Sequence, residues 1–271
     1  WLKSHDKFGR WNSRLCRKSK FKLGRCAVAE KTVCALITGR GNNTLRDKNI
    51  ASVLGHPLLS YSAREAKKVS NVRGFFVSSE DTKILKAAAD VGYTPIVRPQ
   101  KFSLPNAQHV DCLTHAIDVM KSQHGLSPDI LVVLLANSAT VKSSWISDCI
   151  DLLDSRPDAT SVIPVQKNND HHPYRAKRIN KNGFLSGYFD LGLNESMSSN
   201  RQDLPANYFV CHNFWVLNLR NMSHDLSCGF PPWPFMGKNA IAYEVDYSLD
   251  VHHSEDVKLT EMWLKNHGFE Y

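Results

Sequence analysis

From residue 32 onward, short apolar runs alternate with longer stretches in which apolar residues recur every three or four positions. The run 32–38 reads as a buried strand. Residues 57–70 follow as a helix, with Pro57 in a first turn that tolerates proline. A second strand is predicted at 74–78, and a helix at 81–91 that starts on a Ser-Glu-Asp cluster and stops at Gly92. Residues 95–97 are short and extended. In 110–121, positions 110, 113, 116, 117 and 120 are apolar and define one helical face. The stretch 129–135 is a continuous β-rich run of the kind buried on both faces of a parallel sheet. A helix at 144–153 and a strand at 160–165 continue the rhythm.

Four such alternations predict a doubly wound, mainly parallel α/β sheet with helices on its faces. Beyond 165 the pattern breaks. Residues 168–207 are polar, rich in His and Asn, and without a clean period, which marks an insertion that forms a lobe or a dimer arm. Strands at 208–217 and 240–246 and a helix at 255–266 close the chain, so that 32–271 form one domain carrying the insertion.

Charge changes this picture only at the start. Residues 1–31 hold ten Lys and Arg against Asp6 and Glu30, while the other 240 residues carry 24 basic and 24 acidic groups. The formal net charge of +8 therefore belongs to a basic N-terminal extension, and the globular part is balanced. Trp1, Phe8, Trp11, Leu15 and Phe21 are threaded through that arm. It reads as a partner-packing arm, a nucleic-acid contact, the tail of an upstream domain, or a solvated extension with a few docked aromatics. Nucleic-acid binding rests on it alone and is not the expectation for the domain. The chain begins with Trp1 and not methionine, which points to residues upstream. No signal-peptide pattern opens it. Its longest apolar run, 130–136, falls short of the roughly 20 residues of a membrane helix. Seven cysteines form no CxxC pair and no zinc-ligand spacing. A reducing, cytoplasmic setting is expected.

Candidate chemistry gathers where the first strand ends. Ligands of such sheets bind at the carboxyl ends of the strands, and "GRGNNT" at 39–44 follows directly on 32–38. It lacks the third glycine of a dinucleotide fingerprint and the spacing of a Walker A loop. What remains is a Gly-rich turn, with Gly39, Gly41, Asn42 and Asn43 to approach an anion by their backbone. Arg40 at its start and Lys48-Asn49 at its end add charge and hydrogen-bonding capacity for phosphate. Trp215 and Phe214 lie in a strand and read as core, and Trp233 in "GFPPWPF" as part of a loop packed on the body. Histidine pairs stand at 171–172 and 252–253, but neighbours on a strand point to opposite faces, so neither pair is by itself a bidentate metal site.

Arg40 followed by Lys48-Asn49, with Pro57-Leu58 further on, resembles the opening of the acylneuraminate cytidylyltransferase (CMP-sialic acid synthetase) family. "FFVSSED" at 75–81, "IVRP" at 96–99, "NDHHPY" at 169–174, "RQDLP" at 201–205 and "SLDVHHSEDVKLTE" at 248–261 are similar to that family's later motifs, in the same order. The resemblance covers about residues 32–267. It implies a nucleotide-diphospho-sugar transferase-like fold with an inserted dimerisation lobe, and a cytoplasmic homodimer. It also implies an enzyme that couples CTP to an acidic nine-carbon keto sugar and releases pyrophosphate. On this basis Arg40, Lys48 and Asp250 are the expected catalytic residues, and Gly39, Gly41, Asn42, Asn43, Asn49 and Arg98 bind the nucleotide. Arg201, Gln202 and His212 face the sugar. Mg²⁺ is expected on Asp250 with His252 beside it.

Three departures stand out. The loop is one residue shorter than the family's, with Asn43-Thr44 near the place of a Ser-Lys pair. Asp250-Val251-His252 replaces Asp-x-Asp, and imidazole suits Mn²⁺, Zn²⁺ or Fe²⁺ better than Mg²⁺. Leu135 lies where a glutamine that helps read the base is expected. A related nucleotidyltransferase for another sugar or nucleotide, and a non-catalytic relative of the fold, are the alternatives.

Overall fold

The computed structural model describes residues 31–41, 45–189, 198–223 and 225–269. The expectations for the arm before residue 31 and for Asn42 and Asn43 fall outside the described residues.

The central sheet has eight strands. The first, β1 (Val33–Thr38), is buried at every position. It pairs in parallel with β4 (Val72–Ser79) on one side and with β6 (Ile130–Leu135) on the other. Beyond β4 lies β5 (Thr94–Val97), also parallel. Beyond β6 the sheet turns antiparallel through β11 (Phe214–Asn218), which in turn pairs with β7 (Ser161–Lys167). The remaining two strands, β10 (Tyr208–Val210) and β12 (Ala240–Glu244), both pair with β7, the first antiparallel and the second parallel. The expected mainly parallel α/β sheet is thus present.

Side chains of a strand alternate between faces, and β1 divides its residues accordingly between two core layers. Val33, Ala35 and Ile37 join the layer built with α1 (Leu59–Lys67), α2 (Thr82–Ala89), α4 (Ser143–Ser155) and α5 (Ser254–Asn266). Cys34 and Leu36 join the other, where α3 (His109–His124) supplies Leu113, Ala116 and Met120. The remainder of that second layer comes from the chain after β11, through Leu219, Met222, Leu226, Phe235 and Met236. Trp215 and Phe214 are core residues, as their strand position predicts. Trp233 is half-buried against the second layer, as a loop packed on the body should be.

Helix ends follow their local chemistry. Asp81 caps α2 by accepting from the Lys83 N–H at 2.7 Å, and Gly125 closes α3 in the left-handed region at φ 65°. Two expectations are corrected. Pro57 does not open a helix: it pairs in a two-residue strand, β3 (His56–Pro57), with β2 (Ser52–Val53). The tight turn at Leu54 and Gly55, both at positive φ, reverses the chain there, and α1 begins only at Leu59. The single strand expected at 208–217 is broken into β10 (Tyr208–Val210) and β11. At the break the Asn213 side chain takes over, accepting from the Phe214 N–H at 2.9 Å and donating to the Thr140 carbonyl at 3.0 Å.

In the insertion, β8 (Lys177–Ile179) and β9 (Leu185–Gly187) pair with each other and not with the main sheet. Ile179, Phe184, Leu185, Tyr188 and Phe189 stand exposed on or beside this hairpin.

Candidate active site

A cleft of about 360 Å³ opens at the carboxyl ends of the parallel strands. Gly39, Arg40, Lys48, Asn49 and Arg98, five of the expected site residues, line it.

The loop after β1 is held by its own polar groups. Asn49 is buried in the short turn Lys48–Ile50, and its Nδ2 donates to the Arg40 carbonyl at 2.9 Å. The two glycines serve close packing. A Cβ on Gly39 would lie 2.8 Å from Ala136 Cβ, and one on Gly41 would lie 2.3 Å from Asp81 Oδ2. Their amides are engaged inside the protein: Gly41 N–H donates to Glu80 Oε1 at 2.8 Å, and Gly39 N–H to the Ser78 carbonyl at 3.4 Å. This corrects the expectation that the backbone N–H groups of both glycines are presented to an anion. The charge on this side of the cleft comes from side chains instead. Arg98 is buried, and its Nε donates to Ser78 Oγ at 3.1 Å, which fixes the guanidinium at the end of β4.

Asp250 arrives from the far end of the chain, more than two hundred residues after Lys48. The segment before α5 is hung on the loop that follows β6. Val251 N–H donates to the Asn137 carbonyl at 2.9 Å, Leu249 N–H to Thr140 Oγ1 at 3.0 Å, and Ser138 Oγ to the Leu249 carbonyl at 2.7 Å. Val251 is wholly buried. Asp256 then accepts from the backbone N–H groups of both His252 and His253 at 2.8 Å, capping α5.

The electrostatics tie these pieces together. Burial pushes the Asp250 carboxyl up to about 7, against the pull of Lys48 and with a smaller push from Asp256. Burial lowers the Lys48 ammonium from its ordinary value, a shift that Asp250 opposes and Arg40 reinforces. Desolvation disfavours the charged form of each group, and neither fully compensates the other. His252 Nε2 stands 3.8 Å from Asp250 Oδ2. Among the described residues, no group of three or more His, Cys, Asp or Glu side chains is placed to hold a metal ion.

None of the three residues expected on the sugar side is among those lining the cleft. His212, between β10 and β11, sits edge-on to Trp215 and Trp233 at 5.8 and 5.2 Å, and burial followed by the charge of His252 lowers its pKa. Arg201 and Gln202 are not brought to the cleft. They line a separate cavity of about 560 Å³ with Gln166, Lys167 and Asn168, and Arg201 is paired with Asp170 at 2.7 Å.

Sequence reasoning missed residues of the cleft wall. His109, the first residue of α3, lines the cleft, as do Thr38, Ser103, Gln108 and Asn137. His109 escaped notice because the apolar period of its helix begins one residue later. Its place ahead of a helix whose N-terminus meets the strand ends was the available signal.

The fold is a mainly parallel α/β sheet with Arg40, Lys48 and Arg98 lining a cleft at its strand ends. A solved structure of CMP:2-keto-3-deoxy-manno-octonic acid synthetase complexed with CTP shares this fold, with a TM-score of 0.61. It is 13% identical, and the match covers 88% of this chain and all of that one. In sequence, the chain is similar to the pseudaminic acid cytidylyltransferase of Campylobacter jejuni subsp. jejuni, at 30% identity over 95 residues, 35% of this chain and 41% of that protein. It is also similar to the N-acylneuraminate cytidylyltransferase of Escherichia coli O18:K1:H7, at 21% over 230 residues, 84% of this chain and 51% of the relative. The chain thus spans about half or less of the length of these relatives. No protein-family model matches it. The resemblance to cytidylyltransferases carried by the motifs is borne out by these relatives.

Proposed function

We propose that the protein is a nucleotidyltransferase that activates an acidic nine-carbon keto sugar, of the sialic acid type, with CTP, giving the CMP-sugar and pyrophosphate. The observation that carries this reading is the cleft at the strand ends lined by Arg40, Lys48, Asn49 and Arg98, with the segment of Asp250 anchored through Val251 to Asn137 of the same lining.

In such a reaction the anomeric hydroxyl oxygen of the sugar bonds to the α-phosphorus, the bond to the β-phosphate oxygen breaks, and pyrophosphate leaves. The protein's task is positioning and charge neutralisation. Arg40 and Lys48 hold the phosphates and stabilise the charge that grows on the transferring group. Asn49 and Arg98 orient the nucleotide, and His212 belongs to the sugar side. Asp250 suits Mg²⁺, which binds through one or two carboxylates together with substrate phosphates. Its donor chemistry fits, since burial leaves a carboxylate that a nearby cation would hold ionised. His252, beside it, favours Mn²⁺ as the alternative. The ion would supply charge neutralisation on the phosphates.

A homodimer through the inserted lobe belongs to the same reading and is supported by the exposed apolar side chains of its hairpin. Arg201 and Gln202 keep their assignment to the sugar within that dimer. Among the described residues no helix is long and apolar enough to cross a membrane. A cytoplasmic setting is part of the proposal.

Pyrophosphate release tests it, using purified protein, the four nucleoside triphosphates, sialic, legionaminic and pseudaminic acids, and Mg²⁺ or Mn²⁺. Release with CTP and one of these acids is expected. Activity with UTP alone would replace cytidylyl by uridylyl transfer, and no release with any pair would favour a non-catalytic relative.

A further inference from the structure

The cleft contains more polar chemistry than the phosphate-binding side uses. Ser103 is 4% exposed, lines the cleft beside Arg98, and its Oγ has no hydrogen-bond partner among the described residues. A buried hydroxyl left unpaired costs free energy, and such groups call for an explanation. A hydroxyl turns among staggered positions at little cost, and the cleft is the side from which a new partner can arrive.

His109 stands on the same wall. Its Nε2 lies 3.3 Å from Thr38 Oγ1, and Nδ1 has no hydrogen bond among the described residues. The ring cannot retreat, because Trp215 meets it edge-on at 5.2 Å and Phe235 lies tilted against it at 5.5 Å. Cys112 Sγ donates to its carbonyl at 3.1 Å, which holds the first turn of α3 in place. Burial, with Arg98 and His212 adding to it, pushes the imidazole down to about 3, so the ring is neutral and keeps one nitrogen lone pair. Phe102, Leu104 and Leu135 make the neighbouring wall apolar. A neutral imidazole and a hydroxyl beside Phe102, Leu104 and Leu135 match the edge of a planar heterocycle.

We propose that His109 and Ser103 form the edge of the cleft that reads the nucleobase, with Thr38 accepting the Nε2 proton so that Nδ1 accepts from an exocyclic amino group, as on cytosine. This rests on the nucleotidyltransferase reading above. The opposite tautomer, with the Thr38 hydroxyl donating to Nε2, would present Nδ1–H and suit the carbonyl of uracil, so the tautomer that His109 adopts sets the choice of pyrimidine. Thr38 is a positioning residue, and the other two touch the base.

Calorimetric titration of wild-type protein with CTP, UTP, ATP and GTP comes first, and preferential binding of CTP is expected. Binding of none of the four overturns the nucleotidyltransferase reading itself. With CTP binding established, His109→Gln keeps a polar group near Nε2 and removes Nδ1. It is expected to weaken CTP about tenfold, the worth of one hydrogen bond, and to reduce the CTP-over-UTP preference by a similar factor. His109→Asn, which returns an amide near the Nδ1 position, should recover part of that preference. Thr38→Val should erode the preference more than the affinity, and Ser103→Ala should weaken CTP about threefold. In turnover, these changes should raise the KM for CTP far more than they lower kcat. The ¹⁵N spectrum of the wild-type imidazole should show the Nε2–H form with CTP bound. CTP affinity and the CTP-over-UTP ratio within twofold of wild type for His109→Gln and Ser103→Ala would overturn the proposal, as would an Nδ1–H tautomer in the CTP complex.

Discussion

Lys48 sits between two demands. Burial draws its ammonium toward neutrality, while Asp250 holds the charge in place. A cation stabilising charge that develops on a transferring phosphoryl group contributes mainly in the transition state. Lys48→Ala is therefore expected to lower kcat/KM by roughly a hundred- to a thousandfold. Its circular dichroism and melting temperature should stay close to wild type, because the residue fills no core. Pyrophosphate release and a thermal melt together check this. His109 behaves differently, because its cost falls on folding. Its folded pKa lies near 3, below the ordinary histidine value of about 6.5. Between those values the unfolded chain binds a proton that the folded one refuses. Its contribution to stability is thus complete above about 6.5 and is lost as pH falls through that value toward 3. Urea unfolding at pH 7.5 and 4.5 should show a larger acid loss for wild type than for His109→Gln. Equal losses would show that the imidazole is not held neutral.

At the scale of elements, the segment carrying Asp250 depends on the loop after β6. Ser138→Ala removes the hydrogen bond to the Leu249 carbonyl and should cost about 1–2 kcal/mol in chemical denaturation. It should also weaken metal dependence, since Asp250 is the next residue. These elements differ in how far the sequence revealed them. The strands β1 and β6 were legible because burial on both faces demands an unbroken apolar run. Helix α2 was legible from its end signals and α3 from its apolar period. The hairpin at β2 and β3 was hidden because Pro57 satisfies the statistics of a helix start equally well. The break between β10 and β11 was hidden because one side chain, Asn213, stands in for backbone partners, and no periodicity encodes that. Lys48 and Asp250 could not be paired by any local pattern. The seating of the segment around Asp250 on the loop after β6 is a property of the sheet order. The family resemblance put Arg201 and Gln202 at the sugar, while within one chain they line a different cavity.

At the scale of the molecule, the exposed Phe184 and Leu185 of the β8–β9 hairpin are costly in water and inexpensive at an interface. If the homodimer forms there, Phe184→Glu with Leu185→Glu should convert it to monomers in analytical ultracentrifugation, with the domain still folded. An unchanged sedimentation profile would remove the hairpin from the interface.

The two sides of the central sheet are covered unequally, by four helices on one side and by α3 with a length of irregular chain on the other. Opening free energies follow how cooperatively a layer is packed. Amides of α3 should therefore exchange with deuterium sooner than those of α1 and α4. Because His109 begins α3, a nucleotide that seats against it should slow this exchange across the whole helix. The thin side of the molecule would then report occupancy of the cleft to a probe that never touches it.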